Sequence, residues 1–595
     1  MNMRRKTLAL LMLTSLLTTM LFPAFAQEGE NRMNTRQSAQ LLSSPVELAI
    51  YVRRLDPSTY PEDQRRTHKA LTWDAFDGVT QFVAGRNLPK SDVDLADVAG
   101  RVYRPNLASV NDAFLKRALQ YASARKLIVH NIGGFGPGSR FSGSFGEYLV
   151  PENKLALFEK YVADTFTGFD VGEQDGRFNF TYAQVLDPYV KDRVAQYLVS
   201  QPYFDRVAAD QGNWCSSLSV LWYWHYLLKE GYVVLAGAET QNKITNGQVQ
   251  YAFIRGAGKQ YGVLPYGDIS VFDSWGYKNY GTSGRDYGVN NGGSLSLIRR
   301  SFYTQYMYGS TILSMEQGWC EGPWAINKGT LSPLGIMQND CAAFVESNGS
   351  AGDMLTPVGV LMDFYSGWMP ARHIAGQFRV WNGMDYEAGD YLTDSIVSMF
   401  YPNYEESGFY HDESGTMTAT PYGEIMDGLL SDARLETLKQ YSLIVAAGDL
   451  FSMTEELSDK LHAYVQEGGT LLITAENASR LFPEWQIGDA VRMPAGTDIT
   501  MHNTGDVVTE ACSFDLHTIG VMPPHAEVIM NVGEAPAMLD IPLGEGRVLL
   551  SLTPYGLNTE AKKYNNPGGW FGPGIDKDLG RPYELLTHVQ ALLDE

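Results

Sequence analysis

Thr311-Ile-Leu-Ser-Met-Glu-Gln317 and Gly168-Phe-Asp-Val-Gly-Glu-Gln-Asp-Gly-Arg177 share one pattern: a short apolar run breaks into a polar loop at a glutamate, Glu316 in the first and Glu173 in the second. Parallel β/α folds carry catalytic carboxylates at this junction, because strands hold the side chains rigidly where the loops begin. Counting the segments before them as the fourth and seventh strands of a (β/α)8 barrel sets the two glutamates across its mouth. That arrangement cleaves glycosidic bonds. A period of two puts Glu316 on one face with Ser314 and Ile312, and Glu173 with Val171 and Phe169.

Outward from these two segments, residues 45–350 alternate short apolar runs with longer helical patterns, the mark of repeated β-α units. Strands are expected at 46–52, 78–84, 126–132, 167–173, 232–239, 263–272 and 310–316, and helices at 110–124, 151–163, 214–230 and 294–308. The eighth strand has two alternatives, 334–337 or 358–364. Residues 354–595 read as a second, flavodoxin-like α/β domain. Its strands fall at 358–364, 441–447, 470–474 and 546–551, with a helix near 389–400, a β-rich insertion at about 487–542 and a last helix near Leu593. Thr454-Glu-Glu-Leu457 is expected to cap a helix that Gly468-Gly469 ends.

Arg4, Arg5 and Lys6 precede an apolar stretch from Leu8 to Phe22 and then Ala24-Phe25-Ala26, so residues 1–26 read as a secretory signal peptide. The apolar stretch is shorter than the roughly 20 residues of a membrane span, and no similar run follows. The protein is expected to be exported, to periplasm or medium. Its net charge is −22 and becomes more negative when the basic leader leaves. Nucleic acid is therefore excluded as a partner, and neutral saccharides are favoured over polyanionic ones. Aromatic residues make up 12% of the chain and crowd its glycine-rich loops, which suits stacking on sugar rings. Cys215, Cys320, Cys341 and Cys512 lack metal-site spacing, and no metal or cofactor is expected. Cys320 and Cys341 are close in sequence beside Glu316 and are the expected disulfide.

Hydrolysis of a glycoside needs an acid at the leaving oxygen and a second carboxylate at the anomeric carbon. Glu173 is assigned the first role and Glu316 the second, acting by retention. Asp170, Asp175 and Arg177 surround Glu173 as substrate-binding residues, although an ion-pair network or a calcium site is an alternative for this group. His130, Glu239 and Asp268 lie in or at the ends of expected strands and are further cleft candidates. Trp275, Tyr277, Tyr280, Trp319 and Trp324 are candidate stacking platforms. His411-Asp-Glu-Ser-Gly415 is an acidic cluster in the second domain, read as a solvated turn, a loop reaching the cleft or a subunit contact. Serine-hydrolase, zinc-protease, Walker and dinucleotide signatures are absent from the sequence.

A leader, a barrel with strand-end glutamates and a following open α/β domain together resemble the clan A glycoside hydrolases, especially the family 42 β-galactosidases. The resemblance implies that the second domain is like class I glutamine amidotransferases, has no catalysis of its own and serves homo-oligomerisation. No Cys follows a strand there as a nucleophile would, since Cys512 lies in the β-rich insertion. The clan usually places Asn immediately before its acid/base glutamate, where this chain has Gly172, so the resemblance is to a divergent family and not to a familiar one. Two other readings stay open: a carbohydrate-binding or scaffold protein without catalysis, and a polysaccharide lyase, for which no clustered basic site is evident.

Overall fold

The computed structural model describes chiefly residues 111–132, 152–170, 214–219, 224–229, 235–240, 247–261, 264–269, 295–315, 333–366 and most of 423–553, with short strands at 81–82 and 102–103 and scattered positions elsewhere. These fall into two compact units. One draws on 1–242, 263–353 and 377–384, and the other on 243–262, 354–376 and 385–595. The leader, the last helix and the cluster at His411–Gly415 lie outside the described residues.

In the first unit, β1 (Gln81–Phe82), β2 (Val102–Tyr103), β3 (Ile128–Ile132), β4 (Phe166–Asp170), β5 (Trp214–Ser219), β6 (Leu235–Thr240), β7 (Leu264–Ile269) and β8 (Ile312–Met315) form one sheet in the order β1-β8-β7-β6-β5-β4-β3-β2. Every pairing in it is parallel. A sequential order that brings the first strand beside the last is the cyclic order of an eight-stranded barrel.

The helix Asp112–Ala124 shows why its segment leaves the strand pattern. Asn111 accepts the Phe114 amide at 2.9 Å as N-cap, and Leu115, Ala118, Leu119 and Ala122 recur at helical spacing and are fully buried. That face packs on Val129 of β3, beside Phe158 and Val162 of the helix Glu152–Val162. A second apolar cluster joins Ile298, Phe302 and Tyr306 of the helix Leu295–Met307 to Met337, Cys341 and Val345 of the helix Pro333–Asn348, with Ile269 of β7 and Leu313 of β8 beneath them.

The strand count needs correction. The expected strand at 46–52 lies outside the described residues, and β2 and β5 were not among those expected. β5 reads Trp-Cys-Ser-Ser-Leu-Ser, and its serines lack the β-branched character that marks a strand. It was taken into the helix expected at 214–230, of which only Trp224–Lys229 is helical. Glu316 consequently follows the eighth strand and not the seventh. Of the two alternatives for an eighth strand, 334–337 lies in the helix Pro333–Asn348, and 358–364 supplies the first strand of the second unit.

In the second unit, β9 (Val358–Met362), β10 (Met426–Leu430), β11 (Leu443–Ala446), β12 (Thr470–Thr474) and β19 (Gly546–Ser551) run parallel in the order β10-β9-β11-β12-β19. Every residue of β9, β10 and β11 is buried, as expected of parallel strands covered on both faces. Between β12 and β19 the chain makes β13 (Ile487–Met493), β14 (Thr497–Met501), β15 (Val507–Glu510), β16 (Phe514–Ile519), β17 (Glu527–Val532) and β18 (Ala535–Leu543). β18, β17, β14 and β15 extend the sheet antiparallel, and β13 pairs with β16 apart from it. Thr454 caps the helix Glu455–Gln466 by accepting the Leu457 amide at 3.1 Å. The reciprocal half of a capping box is missing, because Leu457 stands where it needs a glutamate.

The second unit also holds the helix Gly247–Tyr261, which precedes β7 in the chain. Residues 45–350 and 354–595 were expected to form one domain each, whereas this helix groups with the second unit and residues 377–384 with the first. All but Lys259 and Tyr261 of its residues are buried. It approaches β10 backbone to backbone: a Cβ added to Gly256 would lie 1.8 Å from the Gly428 carbonyl oxygen. Arg255 Nε and Lys259 Nζ reach the buried Asp427 carboxylate at 2.9 and 2.7 Å, and Thr356 and Tyr441 donate to it at 2.8 and 3.1 Å. Gln260 accepts the Leu430 amide at 3.0 Å and donates to Asp432 at 2.7 Å. Opposite charges and directed hydrogen bonds let a polar segment be buried without stranding an ion in a low-dielectric interior.

Candidate active site

All eight strands of the first unit run the same way, so their C-terminal ends form one edge. In parallel β/α sheets this is the edge whose loops carry chemistry. Asp170 is the last residue of β4, and Glu239 and Asp268 are the penultimate residues of β6 and β7. Glu316 immediately follows the last residue of β8. Glu239 is the Cα partner of Asp268, and Asp268 is the partner of Ser314 in β8, so these positions lie level across three neighbouring strands. His130 in β3 is level with Gly168 of β4.

The two faces of the sheet can be told apart by what packs on them. Ile269 of β7 and Leu313 of β8 belong to the apolar cluster beneath two helices. Alternation therefore turns Tyr266, Asp268 and Ile312 to the opposite face. Asp268 is 1% exposed and Tyr266 is fully buried. The Tyr266 backbone and ring leave no room for a side chain on β6: a Cβ at Gly237 would meet the Tyr266 carbonyl oxygen at 2.3 Å and its ring at 2.7 Å. A glycine in the neighbouring strand thus admits the tyrosine on this face. Tyr266 was not among the sequence candidates; it stands two residues before Asp268, the spacing that puts both on one face of a strand.

Among the candidates, Asp268 is the one whose side chain the structure describes, while His130, Asp170 and Glu239 are placed by their backbone in β3, β4 and β6. Glu173, Asp175, Arg177, Trp275, Tyr277, Tyr280, Glu316, Trp319 and Trp324 lie outside the described residues. The corrected count changes the geometry expected of the glutamate pair. β4 and β8 have β5, β6 and β7 between them, whereas β7 carries Asp268.

The expected disulfide is described at one of its two cysteines. Cys341 is a free, fully buried thiol in the helix Pro333–Asn348. It faces the apolar cluster with Phe302 and Ile298, where a small thiol fills space as an apolar side chain would. Burial pushes its pKa up, and a hydrogen bond with Tyr303 partly offsets that shift. Cys320 lies outside the described residues. Among the described residues no group of three or more His, Cys, Asp or Glu side chains is placed to hold a metal ion, and no helix is long and apolar enough to cross a membrane.

The sequence matches no family model and no curated protein. Solved structures similar to the chain include the cold-adapted β-galactosidase from Rahnella sp. R3, with 10% identity, a TM-score of 0.47 and coverage of 76% of this chain and 81% of that one. The β-galactosidase from the Antarctic haloarchaeon Halorubrum lacusprofundi aligns at 13% identity with a TM-score of 0.40, over 88% of this chain and 77% of its own. An exo-β-1,4-mannosidase from Opitutaceae bacterium strain TAV5 aligns at 11% identity with a TM-score of 0.40, over 77% and 85%.

Proposed function

We propose that the protein is an exported glycoside hydrolase acting on a poly- or oligosaccharide. One observation carries the reading: Asp170, Glu239 and Asp268 occupy the C-terminal ends of β4, β6 and β7 in a single parallel sheet, and the sequence continues from β4 and β8 into the segments that contain Glu173 and Glu316. In this reading β1 closes on β2 to complete a (β/α)8 barrel of the clan A, family 42-like kind. The second unit, whose parallel strands follow the order 2-1-3-4-5, is a flavodoxin-like, amidotransferase-like domain that serves homo-oligomerisation. Residues 1–26 direct export.

The reaction follows from two carboxyl groups on one rim. Glu173 protonates the departing glycosidic oxygen while Glu316 attacks the anomeric carbon, forming a glycosyl-enzyme and releasing the first sugar. Glu173 then takes a proton from water, which attacks the same carbon and frees the second sugar with retained configuration. Asp268 and Asp170 line the rim and hold sugar hydroxyls, and the loop aromatics Trp275, Tyr277, Trp319 and Trp324 stack on sugar rings.

The test is a screen of neutral oligo- and polysaccharides with the purified mature protein, followed by proton NMR of the first product anomer. Glu173→Gln and Glu316→Gln are each expected to cut turnover by about 100-fold or more. Sugar binding without turnover in the wild type would replace this reading with a carbohydrate-binding protein. Full turnover in both variants would remove this pair from the chemistry.

A further inference from the structure

In the second unit, the ribbon of β13 and β16 is irregular at one place. Its register runs from Ile487 opposite Ile519 to Ala490 opposite His517, so Gly488 and Asp489 together face Thr518. That is a β-bulge, which drops one residue out of the ladder. Gly488 lets the strands close there, since a Cβ on it would lie 2.5 Å from the Thr518 hydroxyl oxygen. The His517 ring spans the bulge. Its Nδ1 lies 3.0 Å from the Gly488 carbonyl oxygen, and its Nε2 lies 3.3 Å from a Glu476 carboxylate oxygen in the first turn of the helix Ala475–Leu481, which follows β12. A carbonyl and a carboxylate both accept hydrogen bonds and neither donates, so both ring nitrogens must carry a proton. The strand beneath the ring is fixed: the His517 amide donates to the Leu552 carbonyl at 2.8 Å, and Phe514 and Leu516 are buried on either side of Asp515.

We propose that His517 is a pH-operated clasp: as a cation it ties the bulge of β13 to the helix after β12, and as a neutral ring it lets one of the two go. A neutral imidazole has a single N–H, so whichever contact it keeps, the other sets a nitrogen lone pair against an oxygen acceptor. The surrounding charges favour the cation. Glu476 faces it from the helix, and Asp515 on its own strand adds a weaker attraction while taking Arg492 of β13 at 3.1 Å. Arg480 of the helix donates instead to the Leu450 carbonyl at 2.8 Å, Asp540 of β18 takes Arg547 of β19 at 3.2 Å, and Asp489 of β13 is exposed. The hydrogen bond to Glu476 raises the His517 pKa against the opposing effect of burial. The clasp is therefore complete below the ordinary histidine value of about 6.5 and opens as pH rises through the raised folded value. Opening is confined to the bulge and the first turn of the helix, because β16 stays anchored through Phe514, Leu516 and its backbone.

Native-state hydrogen exchange of the full-length protein tests the proposal, read by mass spectrometry from about pH 5.5 to about pH 8.5 and corrected for the intrinsic pH dependence of exchange. Peptides covering β13 and the helix Ala475–Leu481 report on the clasp, and β11 serves as the internal reference. Protection in the first two is expected to fall by about three- to fivefold across the range while β11 holds steady. In Glu476→Gln the side-chain amide donates to a neutral Nε2 and its oxygen accepts from a charged one, so protection in both peptides should become independent of pH. Flat protection in the wild type would overturn the proposal. So would a fall of the same size in Glu476→Gln, which would place the titrating group elsewhere, or a fall in β11 in step with the other two, which would make the opening global.

Discussion

Asp268 on β7 and Asp427 on β10 are both buried aspartates on parallel strands, 1% and 0% exposed, but they sit at opposite ends of those strands. Asp427 is the second residue of its strand and is ringed by Arg255, Lys259, Thr356 and Tyr441, which together neutralise and orient it. The same carboxylate, together with burial, drives the Tyr441 hydroxyl pKa well up, burial being the larger cause. Asp268 is the penultimate residue of its strand, level with Glu239 and facing away from the helices. In parallel sheets the beginning of a strand is the end that stabilises and its C-terminus is the end that reacts. A buried charge is therefore weak evidence of function until its place along the strand and its partners are known.

Exchanging each aspartate should separate the two roles. Asp427→Ala leaves the buried Arg255 and the half-buried Lys259 without their anion and is expected to cost about 3–5 kcal/mol of stability, measured by urea unfolding. Asp268→Asn preserves shape and is expected to leave the urea midpoint nearly unchanged while reducing glycoside turnover by about 100-fold. The reverse result, lost stability with intact turnover, would make Asp268 a structural residue like Asp427. A smaller effect is expected from Gly237→Ala, whose methyl group meets the Tyr266 backbone: roughly 1–3 kcal/mol, with turnover falling as Tyr266 and Asp268 are displaced.

The smallest effect concerns an ion pair in the second unit, His517 with Glu476, at 3.3 Å. The hydrogen bond from His517 to Glu476 raises the histidine pKa despite the opposing effect of burial. Burial, the largest single cause, pushes the Glu476 pKa up, but hydrogen bonds to His517, to its own backbone amide and to Thr474, with the His517 charge, together outweigh it and the net shift is downward. The histidine's contribution is complete below its unfolded value of about 6.5 and is lost as pH rises through the raised folded value. The glutamate's contribution is present above about 4.5 and is lost as pH falls through the lowered folded value. The pair thus stabilises most between these limits. Glu476 is 44% exposed, so solvent screening keeps the effect below about 1 kcal/mol. Thermal unfolding of Glu476→Gln against wild type should show a difference that is largest near pH 5.5 and shrinks on either side. A difference independent of pH would mean that packing and not charge links the two residues.

Where the fold was legible, the signal was local. The all-apolar β9 and β11 stood out because strands covered on both faces have no polar alternation, and the Thr454 cap was visible because it involves residues three apart. β5 was hidden by its serines, and β2 was hidden by its length of two residues. Closeness in sequence suggested pairing Cys341 with Cys320 but said nothing of the helix face on which Cys341 is buried.

By itself the sequence determined the β-α alternation, the apolar strands and the carboxylates at strand ends, since each depends on neighbours within a few residues. Only the tertiary structure decided that Glu316 follows the eighth strand, that Asp268 lies level with Glu239, and that the helix Gly247–Tyr261 belongs with β10. Strand order and register are non-local pairings. A helix buried on nearly all sides carries no periodic stripe to name its partner, so its placement rests on contacts such as Arg255 with Asp427, which meet only in the folded chain.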